Sequence, residues 1–181
     1  MIVRPATEAD APALAAIYGH AVLHGFGTFE EVPPSAADMD ARRRAVQDQD
    51  LPYLVAEAGG RVLGFAYAAP FRPRAAYRYT LEDSVYVAPE SQGQGVGRAV
   101  LSAVIGACEA LGVRQLVAVI GDSGNEGSIA LHRALGFQPA GVHKSVGFKH
   151  GRWVDIVLVQ KALNGGDDSL PDRPGITLTG H

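Results

Sequence analysis

The sequence predicts an α/β fold with α+β character, built on a mixed sheet, and three stretches carry that expectation. "YLVAEA" and "RVLGFAYAA" are strand-like runs separated by Gly59-Gly60, the turn chemistry of a tight antiparallel hairpin. "LEDSVYVAP", a helical stretch from about 95 to 111 and "RQLVAVI" form a strand–helix–strand unit, which beside hairpins points to a mixed sheet. "VHKSVGF" and "RWVDIVLVQKAL" flank His150-Gly151 as a second hairpin. A chain of 181 residues is long enough for a proper core and short enough for one domain.

The elements follow in order from local rules. "IVRP" reads as a short first strand. Thr7 is placed as a helix N-cap, with Asp10 three residues on completing a shortened capping box. Leu14, Ile17, Tyr18, Ala21 and Val22 then fall at the i, i+3, i+4, i+7, i+8 spacing of an amphipathic helix. "HGFGTFEEVPP" breaks that helix, and Ser35 caps a second, mostly polar one over about 36–48. After the first hairpin, "PFRPRAAYRYT" is a loop. Gly112 stops the long helix as its C-cap. "GDSGNEG" is a further loop, and "NEGSIALHRALGF" is a short helix ended by Gly136. From Asn164 the composition turns to Gly, Asp, Pro and Ser. The expected organisation is one domain over 1–163 and a flexible C-terminal tail over 164–181.

Composition excludes several classes of function. Hydrophobic residues make up 47% and charged residues 19% of the chain, the balance of an ordinary globular protein. A net charge of −3 argues against nucleic acid as a partner. No apolar run approaches the roughly 20 residues that span a bilayer, so no membrane partner is expected. The N-terminal stretch has no basic-then-apolar signal pattern. A single cysteine forbids an internal disulfide and suits a reducing, cytoplasmic setting. Cys108 shares a helical face with Leu101, Val104, Ile105 and Leu111, which reads as inert core rather than a nucleophile. No metal-ligand cluster stands out.

The most informative stretch is "ESQGQGVGRAVL", where a strand gives way to the long helix and glycine stands at 93, 95 and 97. A helix start presents unpaired N–H groups and the positive end of the helix dipole, and so attracts phosphate. Glycine lets phosphate oxygens approach where a Cβ would block them. The same residues also suit a simple connecting turn. A P-loop requires Gly-Lys-Ser/Thr after its glycines, whereas Gly97 is followed by Arg98-Ala99. A dinucleotide fingerprint counted from Gly93 requires glycine at 98, where arginine stands. Both alternatives are weakened and neither is excluded.

Gln92-Gly93-Gln94-Gly95-Val96-Gly97 resembles the Gln/Arg-x-x-Gly-x-Gly/Ala motif of the GNAT superfamily of N-acetyltransferases. "NEGSIALHRALGF" is similar to that family's later motif, an asparagine before a short helix ending in Leu-Gly-aromatic. "ATEAD", "LVAE", "AYAAPFRPRAAYRYTLEDSVYV", "VAVIG", "LHRALGF" and "GFKHGRWVD" resemble, in order, the phosphinothricin and methionine sulfoximine/sulfone acetyltransferase branch. The resemblance runs from about residue 2 to 163. It implies a strongly bent mixed sheet whose two central parallel strands splay apart, with acetyl-CoA as co-substrate in the gap. It places Val85, Tyr86 and Val87 against the coenzyme through backbone groups. Gln92, Gly93, Gln94, Gly95, Val96, Gly97 and Arg98 would meet the pyrophosphate, and Asn125 and Ser128 the pantetheine region. Arg98 is equally readable as a solvated first-turn arginine.

The implied reaction is direct attack of a neutral amine on the thioester in a ternary complex. An α-ammonium with a pKa near ~8 must first lose a proton. The resemblance gives that base as Glu82, with the adjacent Asp83 as competitor. It gives His132 as proton donor to the departing thiolate; a buried structural histidine is the alternative. Val87 N–H is the expected oxyanion donor. Arg72, Arg74 and Arg78 lie in one loop before Glu82, and Lys149 in "GFKHG"; guanidinium and ammonium groups suit an anionic acceptor. Phe29, Tyr77, Tyr79 and Trp153 are candidate pocket walls. Phe29, Arg72, Arg74, Tyr77 and Lys149 are the substrate-binding set, although "GTFEEVPP" differs from the corresponding segment of both named activities. The expected function is N-acetylation of the α-amino group of a small amino acid or analogue by a homodimeric enzyme. Acetylation of a protein N-terminus or other amine, and a non-catalytic acyl-CoA sensor, are the alternatives.

Overall fold

The computed structural model describes residues 1–178. Seven strands form one sheet in the order β1-β2-β3-β4-β5-β7-β6. They are β1 (Ile2–Pro5), β2 (Tyr53–Ala58), β3 (Arg61–Pro70), β4 (Thr80–Val87), β5 (Gln115–Gly121), β6 (Gln138–Lys149) and β7 (Arg152–Ala162). Four helices complete the fold: α1 (Ala11–His24), α2 (Ala36–Gln47), α3 (Val96–Ala110) and α4 (Glu126–Ala134). The mixed α/β class is therefore borne out, with the parallel pair falling between β4 and β5 as the strand–helix–strand unit requires.

Local chemistry sets the element ends. The Thr7 N–H and hydroxyl both donate to Asp10 Oδ2, at 2.7 and 3.0 Å, which closes a 3₁₀ turn before α1. Ser35 Oγ accepts from the Asp38 N–H at 3.1 Å and starts α2. Gly59 and Gly60, at φ +57° and +74°, give the double left-handed turn between β2 and β3. β6 begins at Gln138, four residues before the run expected from sequence, with Pro139 tolerated because this strand is the sheet edge.

Side-chain alternation sorts the two sheet faces. Val85 and Val87 of β4 lie against the first turn of α3, where a Cβ on Gly97 would stand 3.4 Å from Val87 Cγ2. Tyr86 of β4 turns the other way and meets Tyr18 of α1 edge-on, with ring centroids 4.8 Å apart. Phe65, Tyr53 and Tyr67 stack in a row on that second face. Leu81, Leu101, Val104, Leu116 and Cys108 are fully buried in the core; the cysteine is structural, as its helical spacing implies.

The segment after β7, read from composition as a loose tail, is hydrogen-bonded to the body of the domain. Arg114 Nε donates to Gly166 O at 2.7 Å, and its Nη2 to Ser169 O at 2.7 Å. The Ile176 N–H donates to Arg78 O at 2.8 Å. A buried arginine supplies donors for carbonyls that composition alone leaves without partners. His181 and its two neighbours lie outside the described residues.

Candidate active site

β4 and β5 pair in register only from Thr80↔Gln115 to Asp83↔Ala118. Beyond that point β4 runs on to Val87, held by β3 through Ala66↔Val85, Phe65↔Tyr86 and Gly64↔Val87. β5 runs on to Gly121, held by β7. The two strands have parted, so the facing edge of residues 84–87 carries backbone N–H and C=O groups with no strand to satisfy them. A cleft of about 900 Å³ occupies this fork. Its walls include Asp83 to Val87, the start of α3, Ala118 to Asp122, Asn125, Ser128 and His132.

The start of α3 closes one end of the cleft, and its three glycines act for different reasons. Gly93 and Gly95 adopt φ +71° and +81°, a left-handed conformation disfavoured for other residues. A Cβ at either would meet no protein atom within 4 Å, so the space before these amides is open. Gly97 is a packing glycine: a Cβ there would stand 3.2 Å from Leu131 Cδ2 of α4. Val96, Gly97 and Arg98 form the first turn, whose amides lack a carbonyl one turn back. Gln92, Gly93, Gly95, Val96, Gly97 and Arg98 all line the cleft. Gln94 does not; its side-chain amide turns back to donate to Glu90 O at 2.8 Å.

Asn125 caps α4 by accepting from the Ser128 N–H at 3.2 Å, and its Nδ2 donates to Gly121 O at 3.3 Å. It thereby fixes the end of β5 to the start of α4 while lining the cleft. His132 lies one turn after Ser128 and is 2% exposed. Its Nε2 is 3.0 Å from Asp83 Oδ2, and its Nδ1 is 2.8 Å from the Ser128 carbonyl oxygen. Burial lowers the histidine pKa, but the Asp83 carboxylate outweighs it and the net shift is upward. Burial raises Asp83 more than His132 lowers it. Asp83 Oδ1 is buried and has no partner.

Glu82 follows the strand alternation onto the opposite face from Asp83 and is absent from the cleft lining. Burial raises its pKa above the ordinary carboxylate value, partly offset by the nearby Arg72 charge. The loop arginine and the carboxylate are therefore brought within electrostatic reach of each other.

The five expected substrate-binding residues do not converge on the cleft. Arg72 stacks on Phe71, its guanidinium 4.2 Å from the ring centroid, and borders a separate depression of about 370 Å³. Tyr77 meets the same Phe71 ring edge-on at 5.7 Å. Arg74 is exposed at the start of the 3₁₀ turn. Phe29 packs over Gly147, where a Cβ would fall 2.2 Å from its ring. Lys149 is 2% exposed and donates to Gly25 O at 2.9 Å and Thr28 O at 2.7 Å. Its ammonium is spent on two backbone carbonyls rather than offered to an acceptor, because loop 25–28 has no other donor for them.

Sequence reasoning did not single out this loop. Phe26 lies between the His150 ring, at 5.5 Å, and the Arg152 guanidinium, at 3.9 Å. Arg152 also pairs with Asp122 at the end of β5. A Cβ on Gly121 would overlap the Phe26 carbonyl, so β5 must end in glycine for the loop to seat. Gly25, Phe26 and Gly27 line the cleft, as do His20 and His24, whose rings meet at a tilt with centroids 4.6 Å apart. The i, i+4 histidine spacing in "YGHAVLHG" was the legible signal; the loop contacts span more than 120 residues and left none.

Comparison with known proteins agrees with this geometry. The acetyltransferase (GNAT) family pattern matches residues 20–137, more than half of the chain. The chain is 57% identical over 170 residues to a phosphinothricin N-acetyltransferase of Alcaligenes faecalis, covering 94% of this chain and 86% of the relative. It is 41% identical over 163 residues to an L-methionine sulfoximine/L-methionine sulfone acetyltransferase of Pseudomonas paraeruginosa, covering 90% and 94%. Its structure is similar to that of a phosphinothricin acetyltransferase from Sinorhizobium meliloti in complex with AcCoA. The TM-score is 0.93 at 45% identity, covering 98% of this chain and 96% of that one.

Proposed function

The chain belongs to the GNAT acetyltransferase family, and on that premise we propose that it moves acetyl from acetyl-CoA to the α-amino group of a small amino acid or analogue. Phosphinothricin, methionine sulfoximine and methionine sulfone are the leading acceptors, by similarity to relatives so named. The observation that carries the reading is the unpaired edge of β4 beyond Asp83, opening on the glycine-lined start of α3. An extended amide-bearing arm can complete that edge like a strand, and its phosphates can rest on bare helix amides. Gly93, Gly95, Val96, Gly97 and Arg98 are proposed to hold the pyrophosphate, and Val85 to Val87 the pantetheine amides. Asn125 and Ser128 border the same arm.

Glu82 is the proposed base. A carboxylate whose pKa is raised by burial is a better match to an ammonium proton than an ordinary one. It is absent from the cleft lining but shares the α1 side of β4 with Ser84 and Tyr86, which line it, and this suits an acceptor arriving from the side of α1. Arg72, its neighbour, is the proposed partner for the acceptor's acidic group, with Arg74 and Tyr77 from the same loop and Phe29 at the rim. Lys149 acts by holding loop 25–28 in place. The oxyanion donor is proposed to be a free N–H of β4 nearer the fork's apex than Val87, because Val87 stands beside the first turn of α3, where the phosphates are proposed to sit.

We place the enzyme in the cytoplasm, consistent with a buried, unpaired Cys108, and among the described residues no helix is long and apolar enough to cross a membrane. It is proposed to act as a homodimer. Val146, Phe148 and Trp153 on the edge hairpin are 53%, 59% and 64% exposed, an apolar group that association would cover.

A thiol-release assay tests the reading. Release from acetyl-CoA with phosphinothricin or methionine sulfone supports it. Release only with peptides would assign a protein N-terminus instead, and tight coenzyme binding without turnover would assign a sensor.

A further inference from the structure

We propose that the C-terminal segment 170–178 is a positioning strap: it seats the arginine loop 71–79 and so sets the enzyme's affinity for the acceptor's acidic group. The proposal deepens the reading above and rests on it, because Arg72 is there the partner of that group. Residues 72–78 are all exposed. Within the loop, the Tyr77 N–H donates to Arg74 O at 2.9 Å and the Arg78 N–H to Ala75 O at 3.2 Å. Among the described residues, the one hydrogen bond that reaches residues 72–78 from outside the loop comes from the Ile176 N–H, which donates to Arg78 O at 2.8 Å. An exposed loop with so few ties of its own takes its position from the segment that binds it.

The sequence of the strap suits this docking. Pro174-Gly175 is turn chemistry, and Gly175 takes φ +79°. In a closed turn the Arg173 carbonyl and the Ile176 N–H would bond each other. Here the carbonyl accepts from the Tyr79 hydroxyl at 2.7 Å, and the N–H goes to Arg78 O. Both groups are spent on the end of the loop. A Cβ on Gly175 would stand 2.8 Å from Arg78 O and 3.0 Å from Tyr79 Cε1, so glycine is needed for the approach as well as for the φ. Ile176 packs against the core. Two residues on, Leu178 borders the same depression as Phe71, Arg72 and Pro73. The strap thus borders the loop at its start and is bonded to it at its end.

The strap is itself anchored away from the loop. Arg173 lies over the C-terminal end of α3: its guanidinium donates to Ala110 O, and a Cβ on Gly112 would fall 2.8 Å from its Cδ. Upstream, buried Arg114 holds Gly166 O and Ser169 O, and Asn164 Nδ2 donates to Glu109 O at 2.9 Å and Val113 O at 3.0 Å. All these anchors stand at the end of α3 and the start of β5. The phosphate-suited turn is at the other end of α3, whose 15 residues separate the two by about 22 Å. Releasing the strap therefore leaves the coenzyme's turn in place. It frees Arg72, whose charge reaches Glu82. The strap thus bears on the acceptor side of the site and not on the coenzyme side.

The test uses the full chain with acetyl-CoA and methionine sulfone. Gly175→Ala crowds the contact, and Ile176→Pro removes the N–H that Arg78 O accepts. Each should raise KM for methionine sulfone about 5- to 20-fold, with KM for acetyl-CoA within about twofold and kcat within about threefold. Adding Arg72→Ala to either variant should give little more than Arg72→Ala alone, because the strap acts through that arginine. An unchanged acceptor KM, an equal rise in both KM values, a fall confined to kcat, or losses that multiply with Arg72→Ala would overturn the proposal. Limited trypsin digestion supplies a readout that needs no turnover. Cleavage after Arg74 and Arg78 should be faster in both variants than in the wild type, and equal rates would overturn the proposal. A wild type that turns over no acceptor would instead defeat the acetyltransferase reading, and the trypsin rates would still decide whether the strap holds the loop.

Discussion

Burial acts on Glu82 and Lys149 in opposite senses, and each effect is measurable. The Glu82 carboxyl is raised by desolvation, so the folded state binds its proton more tightly than the unfolded chain does. That carboxylate therefore costs stability above its folded pKa, and the cost vanishes below the unfolded value near ~4.3. Glu82→Gln should lower kcat/KM for methionine sulfone by about a hundredfold or more near neutral pH. It should also melt higher than wild type at about pH 8, with the gap closing by about pH 4. Wild-type kcat/KM in this variant would remove Glu82 as the base. Lys149 is held the other way: burial lowers its pKa, and two carbonyls use its hydrogens. Lys149→Met strands those carbonyls and should cost about 2 kcal/mol of stability. KM for acetyl-CoA should rise with it, since Gly25 to Gly27 line the cleft. A change in acceptor KM alone would instead place Lys149 on the substrate.

The start of α3 is the element on which coenzyme affinity is expected to turn. Gly95 needs its left-handed φ of +81°, yet a methyl there would touch no protein atom within 4 Å. Gly95→Ala should therefore cost only about 1–2 kcal/mol in stability, the strain of a non-glycine residue in that region. Its effect on acetyl-CoA affinity should be larger, about tenfold or more, if the methyl enters the space proposed for phosphate. Equal affinity in calorimetry would remove this turn from the pyrophosphate site. Most of this element was legible in sequence: the glycine spacing, the helix over about 95–111 and the Gly112 stop all have local causes. Its packing onto α4 through Gly97 and Leu131 was not, since those residues are far apart in the chain.

At the scale of the whole molecule, the long edge hairpin of β6 and β7 projects Val146, Phe148 and Trp153 outward, with Phe148 and Trp153 in edge-on contact at 5.3 Å. The same hairpin carries Lys149 and Arg152, which seat loop 25–28 over the cleft. Association through this hairpin would therefore steady the site from behind. Light scattering should report a dimer for the wild type. Trp153→Asp should shift it toward monomer with the fold intact by circular dichroism; a wild-type monomer across the working concentration range would remove the dimer from the proposal.

Local rules were enough to determine the strands, the caps, the mixed class of the sheet and the phosphate-suited turn, because each depends on residues within a turn or two of each other. Glu82 and His132 became candidates through the family resemblance rather than through local rules. Tertiary structure alone decided what those side chains meet. Strand alternation put Glu82 and Asp83 on opposite faces, and the parting of β4 from β5 set Asp83 against a histidine 49 residues away. Lys149 was drawn inward by carbonyls more than 120 residues distant. Charge partners of this kind are chosen by where the chain folds back in space, and one-dimensional spacing carries no record of that distance.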